Sequence, residues 1–573
     1  MSRSKTAFDS RRSVVYGTNA MVVCTQPLAT QIGVDILKKG GNAADAAVAM
    51  AFTLSLLEPF STNIGGNALC LFYDAKKRTV KSIDGSGRTS SSLTLQHIFN
   101  DPVVQKTGSL DKSILAVTVP GAVAAYIDIV DQFGSGHFDD ASILAPSIEM
   151  AENGYPVSQV AAYGWDANIK VLQKNNYAKN HDWVIDDCRA PEEGEIVTMP
   201  TLAKTYKKIA LEGKDGFYKG EIAEAIVKTI QDHGGVMTME DLANHKTDYS
   251  EPILMDYHDM TIWQVPPPSQ SVTTLMALGI IEALEENHRV DFSKIEHNSA
   301  EYLHIVAEAL RIAFADTKYY AADPETNPYP VEMLLNKDYL RERSKLINLE
   351  YRNSHILKGY PDCIGNTTSL SVVDKEGNAC SLMISVGIGF SHNPGVIGTG
   401  IILQDRGSFF SIKENHPNCI APSKKPFHTL MPAIMTKKTS HGHDLRASFS
   451  VMGLVTQNQC QVQYILTMKH YNPSPQRILD LPRMCIKSTQ KDKPDLNNVE
   501  DLNDYMLLLE GGISERVAAE LRSKGHSCQV WEPSLTYMFG RGSMILSKAD
   551  ARTGKRVLAA GCDGRCDGQA SGY

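Results

Sequence analysis

Apolar and small polar residues alternate from Thr367 to Val373, pause at Asp374-Lys375-Glu376-Gly377-Asn378, and resume as a mostly apolar run from Ala379 to Ser385. Period-two alternation on either side of a polar Gly-Asn turn predicts a β-hairpin. It puts Thr367 at the very start of a buried strand. Earlier in the chain, Ile32, Ile36 and Leu37 stand at helical spacing ahead of Gly40-Gly41-Asn42, which predicts a helix closed by a left-handed glycine. The apolar stretch Ala43 to Leu57 predicts a second, buried helix ended by Pro59. Thr62 to Asn67 reads as a glycine turn into a strand over Ala68 to Asp74. Residues 330–366 become polar and punctuated, as expected of a segment able to move aside after a cut. Beyond the hairpin, Gly387, Gly389, Gly395, Gly398 and Gly400 precede a strand-like Ile401-Ile402-Leu403.

Composition narrows the class. The chain has 573 residues, 42% hydrophobic and 21% charged, enough to bury a large core. Length alone would suggest roughly three or four domains of about 150 residues. The net charge of −8 comes from 57 basic and 65 acidic residues, and the basic ones are scattered, so nucleic acid is not an expected partner. The polar start Met1 to Arg12 lacks an apolar core of a signal peptide. Ala43 to Leu57 contains Asp45 and is too short to span a bilayer. These features predict a cytoplasmic protein with no membrane partner. Eleven cysteines occur singly, an odd count with no repeating framework, and read as reduced, mostly buried thiols. Cys562 and Cys566 are too isolated a pair to predict a metal site.

The chain lacks a P-loop, an H-E-x-x-H pair, a G-x-S-x-G elbow and a dinucleotide G-x-G-x-x-G. Hydrolysis or transfer without cofactor or metal is the simplest chemistry left. By itself the residue pattern gives a mixed α/β fold.

Asn366-Thr367-Thr368 followed by Ser371-Val-Val-Asp-Lys-Glu-Gly-Asn-Ala379 resembles the processing site of the γ-glutamyltranspeptidases, or glutathione hydrolases, within the N-terminal-nucleophile hydrolases. The block from Gly40 to Gly66, with Glu58-Pro59, resembles the opening of that family's large subunit. Val117 to Ala122, Leu144 to Ile148, Gly154 to Ser158, Pro266 to Ser269 and the terminal Asp563 to Tyr573 extend the likeness over nearly the whole chain. The resemblance implies a four-layer αββα sandwich. It also implies self-cleavage at Asn366-Thr367 into a large subunit, 1–366, and a small subunit, 367–573, which stay interlocked.

The implied chemistry needs a threonine at that point. The Thr367 hydroxyl attacks the Asn366 carbonyl, and water hydrolyses the resulting ester. The freed α-amine, with a reference pKa of about 7.7–8.0, then serves as base to its own hydroxyl. The substrate would be a small γ-glutamyl or related acyl amide, and the acceptor water or an amine.

The resemblance also implies site residues. Gly453 and Leu454 fall on the loop that supplies oxyanion-hole donors, where losing one donor costs about 10²–10³ in rate. Ser385 replaces a threonine that touches the freed amine. Ser86 stands where relatives carry an arginine for the substrate carboxylate, with Arg88 two residues on. Arg406 and Phe409 fall where acidic or amide residues hold the substrate amine, and His428-Thr429 replace paired serines. Gly387 replaces a substrate-side side chain. A pocket exchanging carboxylate for guanidinium should prefer an anionic acyl group lacking an amine. Three readings follow: a glutathione-hydrolase-type enzyme; an amide acylase for glutaryl-like side chains, favoured by Arg406 and Phe409; or a non-catalytic relative serving as a binding or scaffold protein, suggested by Leu454.

Overall fold

The computed structural model describes residues 12–174, 177–327, 331–354, 356, 366–390, 394–453, 456–488, 505–532 and 538–573. Fourteen strands build two seven-stranded sheets: β1 (Val15–Gly17), β2 (Met21–Cys24), β3 (Asn67–Asp74), β4 (Thr79–Gly85), β5 (Asp248–Ser250), β6 (Ile253–Tyr257), β7 (Met260–Gln264), β8 (Asn366–Val373), β9 (Ala379–Gly387), β10 (Ala433–Thr439), β11 (Gly442–Met452), β12 (Arg541–Ala549), β13 (Arg556–Cys562) and β14 (Gln569–Gly572). One sheet runs β1-β13-β12-β11-β10-β7-β6 and the other β14-β2-β8-β9-β3-β4-β5. Every pairing within these two sheets is antiparallel.

The helices lie on the outer faces. Helix α1 (Pro27–Lys38), α2 (Ala43–Leu57) and α3 (Ala122–Phe133) cover the β8-containing sheet, and α4 (Val272–Glu286), α5 (Ala300–Tyr320) and α7 (Thr456–His470) lie on the side of the other. Apolar side chains from both sheets, among them Val23, Leu71, Met383, Ile434 and Ile545, meet between them. The result is the αββα sandwich. Strands from both sides of residue 366 contribute to each sheet: β1, β6 and β7 join β10 to β13, and β2 to β5 join β8, β9 and β14. Either stretch alone would leave open edges and half a core, so neither is expected to fold without the other.

The hairpin forms as expected, with β8 and β9 antiparallel. Helix α2 also forms over the anticipated residues. Asn42 caps it by accepting the N–H groups of Ala44 and Asp45, and Asp45 accepts from the Asn42 N–H in return. Gly40 takes φ +98° at the end of α1. Part of the polar stretch beyond residue 330 is helical. Lys337–Ser344 forms a helix, α6, because its Leu340 is buried against Gly279 of α4. The ten described cysteines are free thiols, mostly buried. Among the described residues no helix is long and apolar enough to cross a membrane.

Candidate active site

Side-chain parity along β8 builds the site. Leu370 and Val372 point outward into the core beneath α2, and Val373 points inward between the sheets. Thr368 follows the outward set: its Oγ1 donates to Glu58 Oε2 at 2.7 Å, at the C-terminal end of α2. Buried Glu58 also accepts from Thr25 Oγ1 (3.0 Å) and Gln26 Nε2 (2.8 Å). Three groups, Glu58 at the end of α2 and Thr25 and Gln26 at the entry to α1, thus fix the residue after Thr367. A register irregularity falls between Asn366 and Thr368, a bulge of the kind that re-aims a side chain where a strand begins.

Thr367 is fully buried and its Oγ1 donates to Ser385 Oγ at 3.3 Å. Ser385 also accepts the Gly387 N–H at 3.0 Å. Directly across the ladder from Ser385 stands Asn67, which follows the Gly65-Gly66 turn. Asn67 Oδ1 accepts the N–H groups of Gly87 and Gly121 at 3.3 and 3.4 Å, leaving its Nδ2 3.5 Å from His428 Nε2. His428 Nδ1 accepts the Leu430 N–H at 3.1 Å. Burial, and then Arg406 and Lys425, hold His428 well below the usual imidazole range. It is therefore neutral.

Arg406 is fully buried on a short turn of 3₁₀ helix, donates to Thr429 Oγ1 at 2.7 Å, and has its guanidinium 5.4 Å from the centre of the Phe409 ring. The neighbouring Asp405 accepts the Ile388 N–H at 3.1 Å, and a Cβ on Gly387 would lie 1.9 Å from its Oδ1. With φ +102° as well, Gly387 is required by both space and backbone. Ser385, Arg406, His428 and Thr429 are thus linked to Thr367 through Asn67 and the end of β9.

Arg88 sits differently. Its guanidinium donates to Asp323, Asp248 and Glu325 at 3.0–3.1 Å. Lys425 joins the same network, donating to Asp84 Oδ2 at 2.6 Å and pairing with Asp248, while Ser86 donates to Asp84 Oδ1. Burial pulls the Lys425 ammonium down, but Asp84 and Asp248 outweigh it and hold the group above its ordinary value. Arg88, two residues past the position where relatives hold the substrate carboxylate, is therefore tied to three carboxylates of its own chain. Gly453 follows β11 with φ +134°, a conformation suited to glycine. Leu454 lies outside the described residues, as does the side chain of Asn366.

Glu58, Thr25, Gln26, Asn67 and Asp405 escape a reading of the sequence, because their roles depend on partners up to hundreds of positions away. The Glu58-Pro59 pair and the asparagine after Gly65-Gly66 were the available signals.

A family model described as gamma-glutamyltranspeptidase matches residues 29–573. The glutathione hydrolase-like YwrD proenzyme of Bacillus subtilis (strain 168) is 32% identical over 562 residues, 97% of this chain and 99% of its own. The glutathione hydrolase proenzyme of the same strain is 32% identical over 451 residues, 75% of each. The crystal structure of a cephalosporin acylase from Bacillus halodurans matches with a TM-score of 0.85 at 33% identity, over 100% of this chain and 98% of that one.

Proposed function

Because this chain belongs to the γ-glutamyltranspeptidase family, we propose that it is a proenzyme that cuts its own Asn366-Thr367 bond and then works as a threonine amidohydrolase and acyltransferase on γ-glutamyl amides. The observation that carries the reading is Thr367 itself: it stands at a bulge next to the first residue of β8, with its hydroxyl on Ser385 and the next residue pinned by Glu58. In the intact chain its oxygen adds to the Asn366 carbonyl carbon, the C–N bond breaks, and the nitrogen leaves as the new α-amine. Water then cleaves the ester, giving a carboxylate on Asn366 and the free hydroxyl of Thr367. The 1–366 and 367–573 subunits stay together because each sheet is made from both.

In the mature enzyme the α-amine takes the hydroxyl proton as the oxygen attacks a substrate amide. Backbone N–H groups of Gly453 and Leu454 receive the developing negative charge. The amine product leaves with the proton, and water or an acceptor amine resolves the acyl-enzyme. Ser385 orients the nucleophile, and Arg88 positions the Asp84-Lys425 loops around the pocket.

A second reading is favoured by Arg406. A buried guanidinium beside Phe409 and Thr429 suits the carboxylate of an acyl chain without an amine, so glutaryl-like amides are the alternative substrates. The full-length likeness to a cephalosporin acylase supports the same choice. We place the enzyme in the cytoplasm, where its many buried free thiols would stay reduced.

The test is intact mass and N-terminal sequencing of the purified protein beside Thr367→Ala, followed by assay with γ-glutamyl and glutaryl anilides. Two fragments with a new N-terminus at Thr367, absent from the variant, are expected. The preferred anilide then decides between the readings. An uncut, inactive wild-type chain would leave a binding or scaffold role.

A further inference from the structure

Outside the candidate active site, the described residues include one group of three imidazole and carboxylate side chains whose ligand atoms all lie within 4.8 Å of one another: His258, Glu285 and His470. His258 occupies the turn between β6 and β7, Glu285 lies in the last turn of α4, and His470 closes α7. We propose that these three residues form a zinc site clipping the β6–β7 turn and α4 to α7.

The donor set is two imidazoles and a carboxylate, which suits Zn²⁺ with water in the fourth position. Zinc with bonds of about 2.0–2.2 Å needs its ligand atoms roughly 3.3–3.5 Å apart. His258 Nε2 is 3.0 Å from Glu285 Oε2, and His470 Nε2 is 3.7 Å from Glu285 Oε1. Small side-chain movements suffice to receive the ion.

Each ligand is also oriented by a neighbour, as metal ligands commonly are. The His258 backbone N–H donates to Glu282 Oε1 at 3.0 Å, and the residue takes φ +54°, an uncommon conformation for a side-chain-bearing residue, so the turn that carries the ring is fixed. The His470 ring stacks on Phe292 at 4.8 Å. The Tyr257 hydroxyl donates to Glu285 Oε2 at 2.9 Å and lies 2.8 Å from His470 Nε2. His258 is one-third exposed, which gives the ion a way in.

His258 and Glu285 precede the proposed cut and His470 follows it, so the ion would join the two subunits. That role rests on the self-cleavage reading, whereas zinc binding does not. Untagged full-length protein is titrated with Zn²⁺ by calorimetry, alongside Thr367→Ala and His258→Asn; asparagine tolerates the left-handed turn. One zinc per chain is expected for wild type and Thr367→Ala, with at least tenfold weaker binding and unchanged anilide activity for His258→Asn. Zinc should raise the melting temperature of wild type, a chelator should reverse the rise, and His258→Asn should show none. No stoichiometric binding, or equal affinity in His258→Asn, would overturn the proposal. Failure of the cleavage reading would show separately, as wild-type chain that stays uncut while still binding zinc.

Discussion

At the residue scale the proposed chemistry concentrates on Thr367 and the side chains that present it. Thr367→Ser should still cleave, since serine keeps the attacking oxygen. Ser385→Ala removes a hydroxyl that touches the proposed nucleophile yet leaves the amine in place, so kcat should fall roughly fivefold, the scale of one hydrogen bond of about 1 kcal/mol. Arg406→Gln tests the pocket. If a substrate carboxylate meets the guanidinium, KM for a glutaryl anilide should rise roughly 10–100-fold, the equivalent of a charged hydrogen bond of about 1.5–3 kcal/mol, with little change in kcat. An unchanged KM would take Arg406 out of substrate binding. The rate should rise with pH through the titration of the Thr367 amine, because the protonated amine cannot accept the hydroxyl proton.

At the scale of elements, two local devices hold the site. Helix α2 ends at Glu58, so its capping box at Asn42 fixes where that carboxylate meets Thr368. Asn42→Ala should lower stability by about 1 kcal/mol in denaturant melts. Gly387 ends β9 where Asp405 occupies the space a side chain would need. Gly387→Ala combines that clash with a positive φ costing about 1–2 kcal/mol, and should lose more stability than Asn42→Ala in the same melts. The hairpin, α1 and α2 were legible in the sequence because each is set by local period and end signals. The helix at Lys337–Ser344 was not, since its polar surface conceals the one buried leucine that anchors it.

For the whole molecule, buried neutral histidines set the response to acid. Burial pushes His181 down to about 4 and, followed by His304 and nearby cations, His526 down to about 2; His428 is also held low. The unfolded chain takes up protons at these imidazoles near pH 6.5 and the folded chain does not. Stability should therefore fall as pH drops below about 6.5, by up to about 1.4 kcal/mol per pH unit for each group until its folded pKa is reached. Asp563 is held low by Arg483 and Arg565 against its burial. Its contribution is present above about pH 4 and is lost only below that. Denaturant melts of uncut Thr367→Ala between pH 7 and 4.5 isolate the histidine effect, and a flat profile would refute it.

Taken alone, the sequence determined the period of the strands and helices, the turn that makes β8 and β9 a hairpin, and the place of Thr367 at a strand start, because these depend on neighbours within a few positions. Its likeness to a family extended this to the sandwich and to Thr367 as the proposed nucleophile. Tertiary structure decided the rest. It turned Thr367 inward and Thr368 toward Glu58, put Asn67 across from Ser385, and drew Arg88 into a carboxylate cluster while leaving Arg406 beside Phe409. Such pairings join residues as much as about 300 positions apart, and only packing two sheets face to face brings them within reach of a hydrogen bond.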